Sequence, residues 1–480
     1  MTISRRTAMT GLLTAGAAAS AASCGRSTPA SSTDSHPKVT TGAGANFNPP
    51  LSATQPKTLD GLLLNQERAM AQMQAAGVDL LISTDATNLY YLTNQRPIPY
   101  ALGLDGLDFA TLSAHGNGKP SLLGSQVGYY LTAPDKQQAK LVDLKFYSSP
   151  ADPEAYEKIT NVQELINAPA GPGLMPRLHK THALTSSETI RRSLTNIEEN
   201  ELKASAHAAI ISEVLSNPLP NKTIAIDDHR LRAIIERSGA DVRIIDGEHL
   251  IRTIRIQKSK TELELAKYAA AANAAASRAA ALAVRNGATF QDVRSGFAIE
   301  CAKRSTLPVY MMIDTLTPHF TSGEIKEGRS FLIDCVSEFE GYHGDYGRTV
   351  CVGEPTREIQ AVIDTLSTTW DRLRSELRPG MTYHDLYARA SELFKESKVD
   401  AGFAINPHTI GLHHSDDPAG GEFGTFQKEN LTLVENMILS IDMPVLDSGL
   451  GGTAHLEDLV LIGKDGAELL NDSSDRFIVV

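Results

Sequence analysis

One pattern, written twice some ninety residues apart, limits what this chain can fold into more than any other feature. Residues 287–292 read Gly-Ala-Thr-Phe-Gln-Asp and residues 380–385 read Gly-Met-Thr-Tyr-His-Asp, each between two helix-like stretches. Thr followed three residues later by Asp predicts a helix N-cap with its partner at the third helical position. An apolar strand that delivers an acid follows each copy: Phe331-Leu-Ile-Asp334 in the first, Met437-Ile-Leu-Ser-Ile-Asp442 in the second. Past the turn signal Gly341 the first strand returns with Asp345, and past Gly449, Gly451 and Gly452 the second returns with Glu457. A duplicated α/β unit sets corresponding acids around a pseudo-twofold axis, where they can enclose one site. Buried carboxylates brought to one point need a cation.

The segment from Asn406 to Pro418 supplies imidazoles at His408, His413 and His414. Asp334, Asp345, Asp442 and Glu457 with His408 make a mostly hard oxygen site with one borderline ligand, suited to Mn, Fe, Co or Zn rather than Cu(I). The bridging oxygens suffice for two ions, which can share a water, lower its pKa and stabilise the oxygen developing on a scissile carbonyl. Any one Asp at a strand end is ordinarily a turn or capping residue; five such groups in order within a duplicated frame favour metal. One of His413 and His414 is expected to line the site. His343 and His455 are expected to brace the hairpins or the ligands, and Arg348 to pair with nearby acids.

The start of the chain reads as an export signal: Arg5-Arg6, a weakly apolar run to Ala22, then small residues before Cys24. The paired arginines resemble a twin-arginine signal. Cys24 is either the acylated cysteine of a lipobox or a spare residue at a plain cleavage site. Residues 25–56, rich in Ser, Thr, Pro, Gly and Ala, form a tether too poor in apolar groups to build a core. The expected home is the bacterial periplasm or cell surface. A net charge of -12 with no basic cluster excludes nucleic acid as a partner. Cys301, Cys335 and Cys351 are an odd set, which argues against a full disulfide framework.

Between these ends, strand signals at Val78–Ile82, Asn88–Leu92, Phe109–Leu112 and Thr223–Ile226 alternate with helical stretches at 62–76 and 231–237. They predict an α/β layer domain over 57–250, with a further helix at 154–166. An Ala-rich helix over 256–285 opens the second domain, 251–480. Its capping box is Ser259 with Glu262 or Thr261 with Glu264.

Over about residues 60 to 480 the chain resembles the pita-bread metallohydrolases of the M24 type: creatinase, prolidase, Xaa-Pro aminopeptidase and methionine aminopeptidase. The residues that carry the resemblance are the Arg252 to Lys258 entry into the long helix, Gly-Tyr-His-Gly-Asp345, and five ligand positions in order. It implies an α/β fold (α+β in class), with a creatinase-like N-terminal domain and a C-terminal pita-bread domain. The family's five metal ligands fall on Asp334, Asp345, His408, Asp442 and Glu457, and its substrate-side histidine on His319. Two divalent ions follow, manganese first, with cobalt, iron or zinc as alternatives, and so does a homodimer. The implied activity is that of an Xaa-Pro aminopeptidase or dipeptidase, in which a metal-bridging hydroxide attacks the amide of a short peptide. Asp442 would be the general base, and His414 or His319 would steady the tetrahedral intermediate.

This sequence departs from the family at several points. Asp442 stands where the family has Glu, one methylene longer. Pro407 replaces the Gly before the metal histidine, Ala404 replaces the peptidase histidine, and the second family histidine falls on Ser415, with His414 one place earlier. Two alternatives follow from the fold's other members: a lyase or carbon-nitrogen hydrolase acting on a small zwitterion, such as a guanidino compound or dimethylsulfoniopropionate, or a metal-free binding homologue.

Overall fold

The structure is a computed structural model that describes residues 53–104, 106–132, 140–171, 183–195, 202–314, 323–418 and 428–480. The export signal with Arg5, Arg6 and Cys24, most of the tether, and His319 lie outside the described residues.

The N-terminal half is built on a six-stranded sheet in the order β4-β3-β2-β1-β5-β6. Its strands are β1 (Leu80–Ser83), β2 (Phe109–Ser113), β3 (Ser121–Ser125), β4 (Asp143–Tyr147), β5 (Thr223–Ile226) and β6 (Arg243–Asp246). β1 and β5 are buried along their whole length, as short apolar runs covered on both faces must be. One sequence expectation is overturned here. Asn88–Leu92 is not a strand but the body of a helix, Ala86–Thr93. The Asp85 carboxylate accepts from the Thr87 and Asn88 amides, and Asn94 closes the helix in the left-handed conformation, two caps that decide an apolar run too short to show its period. Likewise the stretch at 154–166 is two short helices, Pro153–Tyr156 and Val162–Ile166, each opened by its own cap, Asp152 and Asn161.

The C-terminal half carries an eight-stranded sheet. Its strands are β7 (Leu307–Ile313), β8 (Ser330–Phe339), β9 (Tyr342–Cys351), β10 (Asn406–Thr409), β11 (Ile438–Val445), β12 (Ala454–Ile462), β13 (Ala467–Leu469) and β14 (Phe477–Val479). The main path runs β10-β11-β12-β9-β8-β7. Read from either edge it is the same sequence of three strands, and the two halves meet where β9 and β12 pair antiparallel, as a twofold axis between them requires. The helix pairs repeat in the same way: Lys260–Leu282 with Phe290–Lys303, then Arg357–Glu376 with Tyr383–Glu396. Thr289 with Asp292 and Thr382 with Asp385 form complete capping boxes.

The long helix begins later than the periodicity suggests. Gly247–Arg255 is a separate helix, and Ser259 caps Lys260–Leu282 through a box with Glu262. Glu262 is fully buried; its carboxylate accepts from the Ser259 amide at 2.7 Å and from the Tyr342 hydroxyl at 3.1 Å. Burial, only partly offset by Lys258, raises its pKa from 4.5 to about 7. A folded state that holds this proton more tightly than the unfolded chain loses stability as pH rises from about 4.5 to about 7, and the loss is complete above that. Glu262→Gln is therefore predicted to flatten this part of the pH–stability curve, by about 3 kcal/mol at most between the two ends. Urea unfolding of the metal-free protein at pH 5 and pH 8 measures it; an unchanged slope would remove Glu262 as its source.

Candidate metal centre

The register of the sheet explains which side chains meet. Met312 pairs with Asp334, Asp334 with Gly347, Gly347 with Glu457, Glu457 with Asp442, and Asp442 with Asn406. These six residues form one continuous row across β7, β8, β9, β12, β11 and β10, so all of them face the same side. Asp345 pairs with Val336 and His408 with Ser440, which puts both on that face, in flanking rows. The five residues expected as ligands are thereby brought together. Their donor atoms fall into two triads that share Glu457: Asp334, Asp345 and Glu457, then His408, Asp442 and Glu457, each within 4.8 Å.

Within the row, Asp334 and Asp442 hold equivalent places on either side of the axis. Asp345 and Glu457 do not: the register sets Gly347 opposite Glu457, so the counterpart of Asp345 is His455. The doubling of the fold is thus kept in the backbone and broken in the chemistry. Gly347, midway along the row, leaves the space that the His455 ring fills. A Cβ at 347 would lie 2.0 Å from His455 Cδ2 and 2.8 Å from Glu457 Cβ.

Among the described residues, four buried atoms of the expected ligands form no hydrogen bond: Asp334 Oδ1, Asp345 Oδ1, His408 Nε2 and Glu457 Oε2, the last standing 3.3 Å from His455 Nε2. Buried polar atoms are seldom left so, and these belong to four of the five expected ligands. The electrostatics point the same way. Burial first, and then the neighbouring charges, raise Asp334 and Glu457 to about 8. Burial also raises Asp345, against the pull of its bond to His414. Asp442 alone is held down, to about 2: burial works against its charge, but contact with His455 outweighs it. His455 Nε2 lies 3.2 Å from Asp442 Oδ1 and 3.3 Å from Glu457 Oε2, and despite burial these acids push its pKa well up. The cluster thus favours protons on Asp334, Asp345 and Glu457 and charge on His455 and His414, while burial, with His414 beside it, lowers the pKa of His408 and keeps that imidazole neutral, as a metal ligand must be. The donor set fits divalent ions.

His414 rather than His413 joins the site. Its Nε2 is 2.9 Å from Asp345 Oδ2 and 3.1 Å from the Tyr310 hydroxyl, and although burial opposes its charge, Asp345 raises its pKa to about 9. His413 turns away; burial, with Arg255 and Arg252 nearby, lowers it to about 4. His343 accepts no place among the ligands and instead meets the Gly411 carbonyl at 3.1 Å through Nδ1. Arg348, fully buried, pairs with Asp458 at 2.6 Å.

Three contributors escaped the sequence reading: Tyr310, Ser440 and Asn406. Ser440 Oγ donates to Glu457 Oε1 at 2.6 Å, and Asn406 Nδ2 to Asp442 Oδ2 at 3.2 Å. Period-two alternation would have found two of them, because Ser440 precedes Asp442, and Asn406 precedes His408, by two residues on one strand. His455 stands in the same relation to Glu457.

Gly347→Ala tests the packing around His455. The added methyl group is predicted to expel the ring, lower stability by about 1–3 kcal/mol and weaken Mn²⁺ binding. Urea unfolding with calorimetric titration of Mn²⁺ measures both; wild-type values would contradict the geometry.

Residues 248–464 match the family model described as metallopeptidase family M24. Over 244 residues the chain is 28% identical to the probable dipeptidase PepE of Mycobacterium tuberculosis, a match that covers 48% of this chain and 62% of that protein. Over 242 residues it is 25% identical to the Xaa-Pro dipeptidase of Pyrococcus furiosus, covering 48% of this chain and 67% of the relative. Among solved structures, the fold is similar to the prolidase of Pyrococcus furiosus, with a TM-score of 0.55, 17% identity and coverage of 84% of this chain and 99% of that one. It is similar also to an X-Pro aminopeptidase of Thermotoga maritima, with a TM-score of 0.58, 17% identity and coverage of 85% and 100%. The architecture is the pita-bread fold with a creatinase-like N-terminal half.

Proposed function

We infer from the chain's membership of metallopeptidase family M24, carried by residues 248–464, that it is a two-metal hydrolase of short peptides, an Xaa-Pro dipeptidase in type. The observation that carries this reading is the pair of donor triads sharing Glu457, with buried atoms on Asp334, Asp345 and His408 that form no hydrogen bond among the described residues. Asp334, Asp345 and Glu457 would hold one divalent ion, and His408, Asp442 and Glu457 the other, manganese being the metal we propose. When bound, such ions supply Lewis acidity toward an amide carbonyl and an acidified water.

The chain's own residues then divide the remaining work. Asp442, ionised above about pH 2, accepts the proton of the attacking water as general base, its two oxygens held by His455 on one side and Asn406 on the other. The missing methylene, relative to glutamate, is met by these two anchors rather than by reach. His414 steadies the developing oxyanion, oriented by Asp345 and set edge-on to the Tyr310 ring. If His414 Nε2–H is shared by Asp345 and Tyr310, the Tyr310 hydroxyl keeps its own proton for a substrate oxygen. His319 remains a second residue for the substrate side. The dipeptide substrate is supported by the similarity to a probable dipeptidase and an Xaa-Pro dipeptidase. We further propose twin-arginine export, from Arg5-Arg6, a lipid anchor at Cys24, and a homodimer.

Two measurements test the reading. A panel of Xaa-Pro dipeptides, longer Xaa-Pro peptides and small zwitterions, assayed with Mn²⁺, is expected to give turnover on the dipeptides. Turnover confined to the zwitterions would overturn the substrate class. Asp345→Ala is expected to lower kcat/KM more than about 100-fold with its circular-dichroism spectrum unchanged; wild-type activity in that variant would sink the mechanism.

A further inference from the structure

A second buried polar cluster lies beside the metal centre and is not part of it. Three cations, Arg252, Arg255 and Lys258, sit at intervals of three residues along the Gly247–Arg255 helix and just past its end. All three grip the loop that carries His414. Arg255, fully buried, donates from Nη2 to Asp416 Oδ1 at 2.6 Å, and Lys258 Nζ lies 3.3 Å from Asp416 Oδ2. Arg252 Nη1 donates to the Ser415 carbonyl at 3.1 Å and the Asp417 carbonyl at 3.3 Å. The grip therefore closes on the residues that directly follow His414. Gly411 belongs to it as well: a Cβ there would lie 2.5 Å from Lys258 Nζ and 2.6 Å from Asp416 Oδ2.

The same arginine reaches into the N-terminal half. Arg255 Nη1 donates to Asn88 Oδ1 at 2.7 Å, and Asn88 Nδ2 donates in turn to Asp227 Oδ2 at 3.0 Å and to Glu248. Asp227 also accepts from the Ser83 hydroxyl and, at 3.0 Å, from the Thr84 amide. From the end of β1 to the His414 loop there is one unbroken run of hydrogen-bonded side chains. Taking so many charged groups out of water is expensive for stability alone, and similar apolar packing would serve at least as well. What such a run does provide is a fixed position for the group at its end. On the far side of the loop, that group is His414, 2.9 Å from Asp345.

We propose that Asp416, held by Arg255 and Lys258, is a positioning residue that sets His414 against Asp345, and that Asn88 ties this setting to the N-terminal half. The proposal rests on the reading of His414 as the substrate-side imidazole, but its geometry can be tested separately. The test uses Asp416→Asn, which keeps the shape and removes the charge, and Arg252→Ala, which loosens the outer edge of the grip should the first variant fail to fold. In crystals of either variant, the His414–Asp345 contact is expected to open beyond hydrogen-bond distance. A contact that stays at its wild-type length overturns the proposal whatever the protein hydrolyses. With a dipeptide substrate, either variant is expected to lower kcat by about 10- to 100-fold, with KM and bound metal per chain unchanged. In a His414→Ala background the same substitution should change kcat less than about twofold, because the group it positions is gone. Equal losses in both backgrounds would overturn the proposal. Wild-type turnover in His414→Ala alone would instead strike down the catalytic reading of His414, leaving the crystal contact to decide the positioning role.

Discussion

Carboxylates crowded on one row of a buried sheet repel one another, and the C-terminal half is arranged around that repulsion. Asp334, Glu457 and Asp442 are successive side chains along a line that crosses the sheet, with Asp345 diagonal to them. No apolar residue of similar size would cost so much to bury. The protein answers locally with His455 and His414, each pressed against two of the acids or an acid and a phenol. These imidazoles leave Asp334 Oδ1 and Asp345 Oδ1 without a hydrogen bond among the described residues. A site that holds its charges in register and still leaves lone pairs open is organised to receive something positive.

The doubled fold makes this arrangement possible without making it symmetric. Three strands from each half meet at β9 and β12, and the axis between them sets Asp334 and Asp442 in equivalent positions. Gly347 then breaks the equivalence. Lacking a side chain, it admits His455 over the centre of the row, so one half contributes an Asp where the other contributes an imidazole. The short Asp442 is consistent with this asymmetry, since its oxygens already have neighbours on both sides, His455 and Asn406.

Much of the fold was legible because the sequence carries its own internal comparison. The Thr289–Asp292 and Thr382–Asp385 boxes announce helix starts in residues that bond locally, and the strands that follow end on acids. What hid was local ambiguity and lateral contact. Asn88–Leu92 carries β-favouring tyrosines, yet Asp85 and Asn94 cap it as a helix, and its Asn88 then serves a buried network no spacing rule would suggest. Tyr310 reaches His414 from a strand paired to β8, a contact set by sheet register between residues a hundred positions apart. Ser440 and Asn406 were within reach, each two residues from an expected ligand on its own strand. His413 and His414 could be told apart only by the turn of the loop, which Arg252, Arg255 and Lys258 hold.

The central claim is that the row of acids is a two-ion site. Anomalous diffraction from crystals soaked in Mn²⁺, recorded on the high-energy side of the manganese edge, tests it most directly. The account predicts two peaks per chain about 3.5–4 Å apart, one among Asp334, Asp345 and Glu457, the other among His408, Asp442 and Glu457. No peak on that face of the sheet, or ions bound only elsewhere, would contradict it.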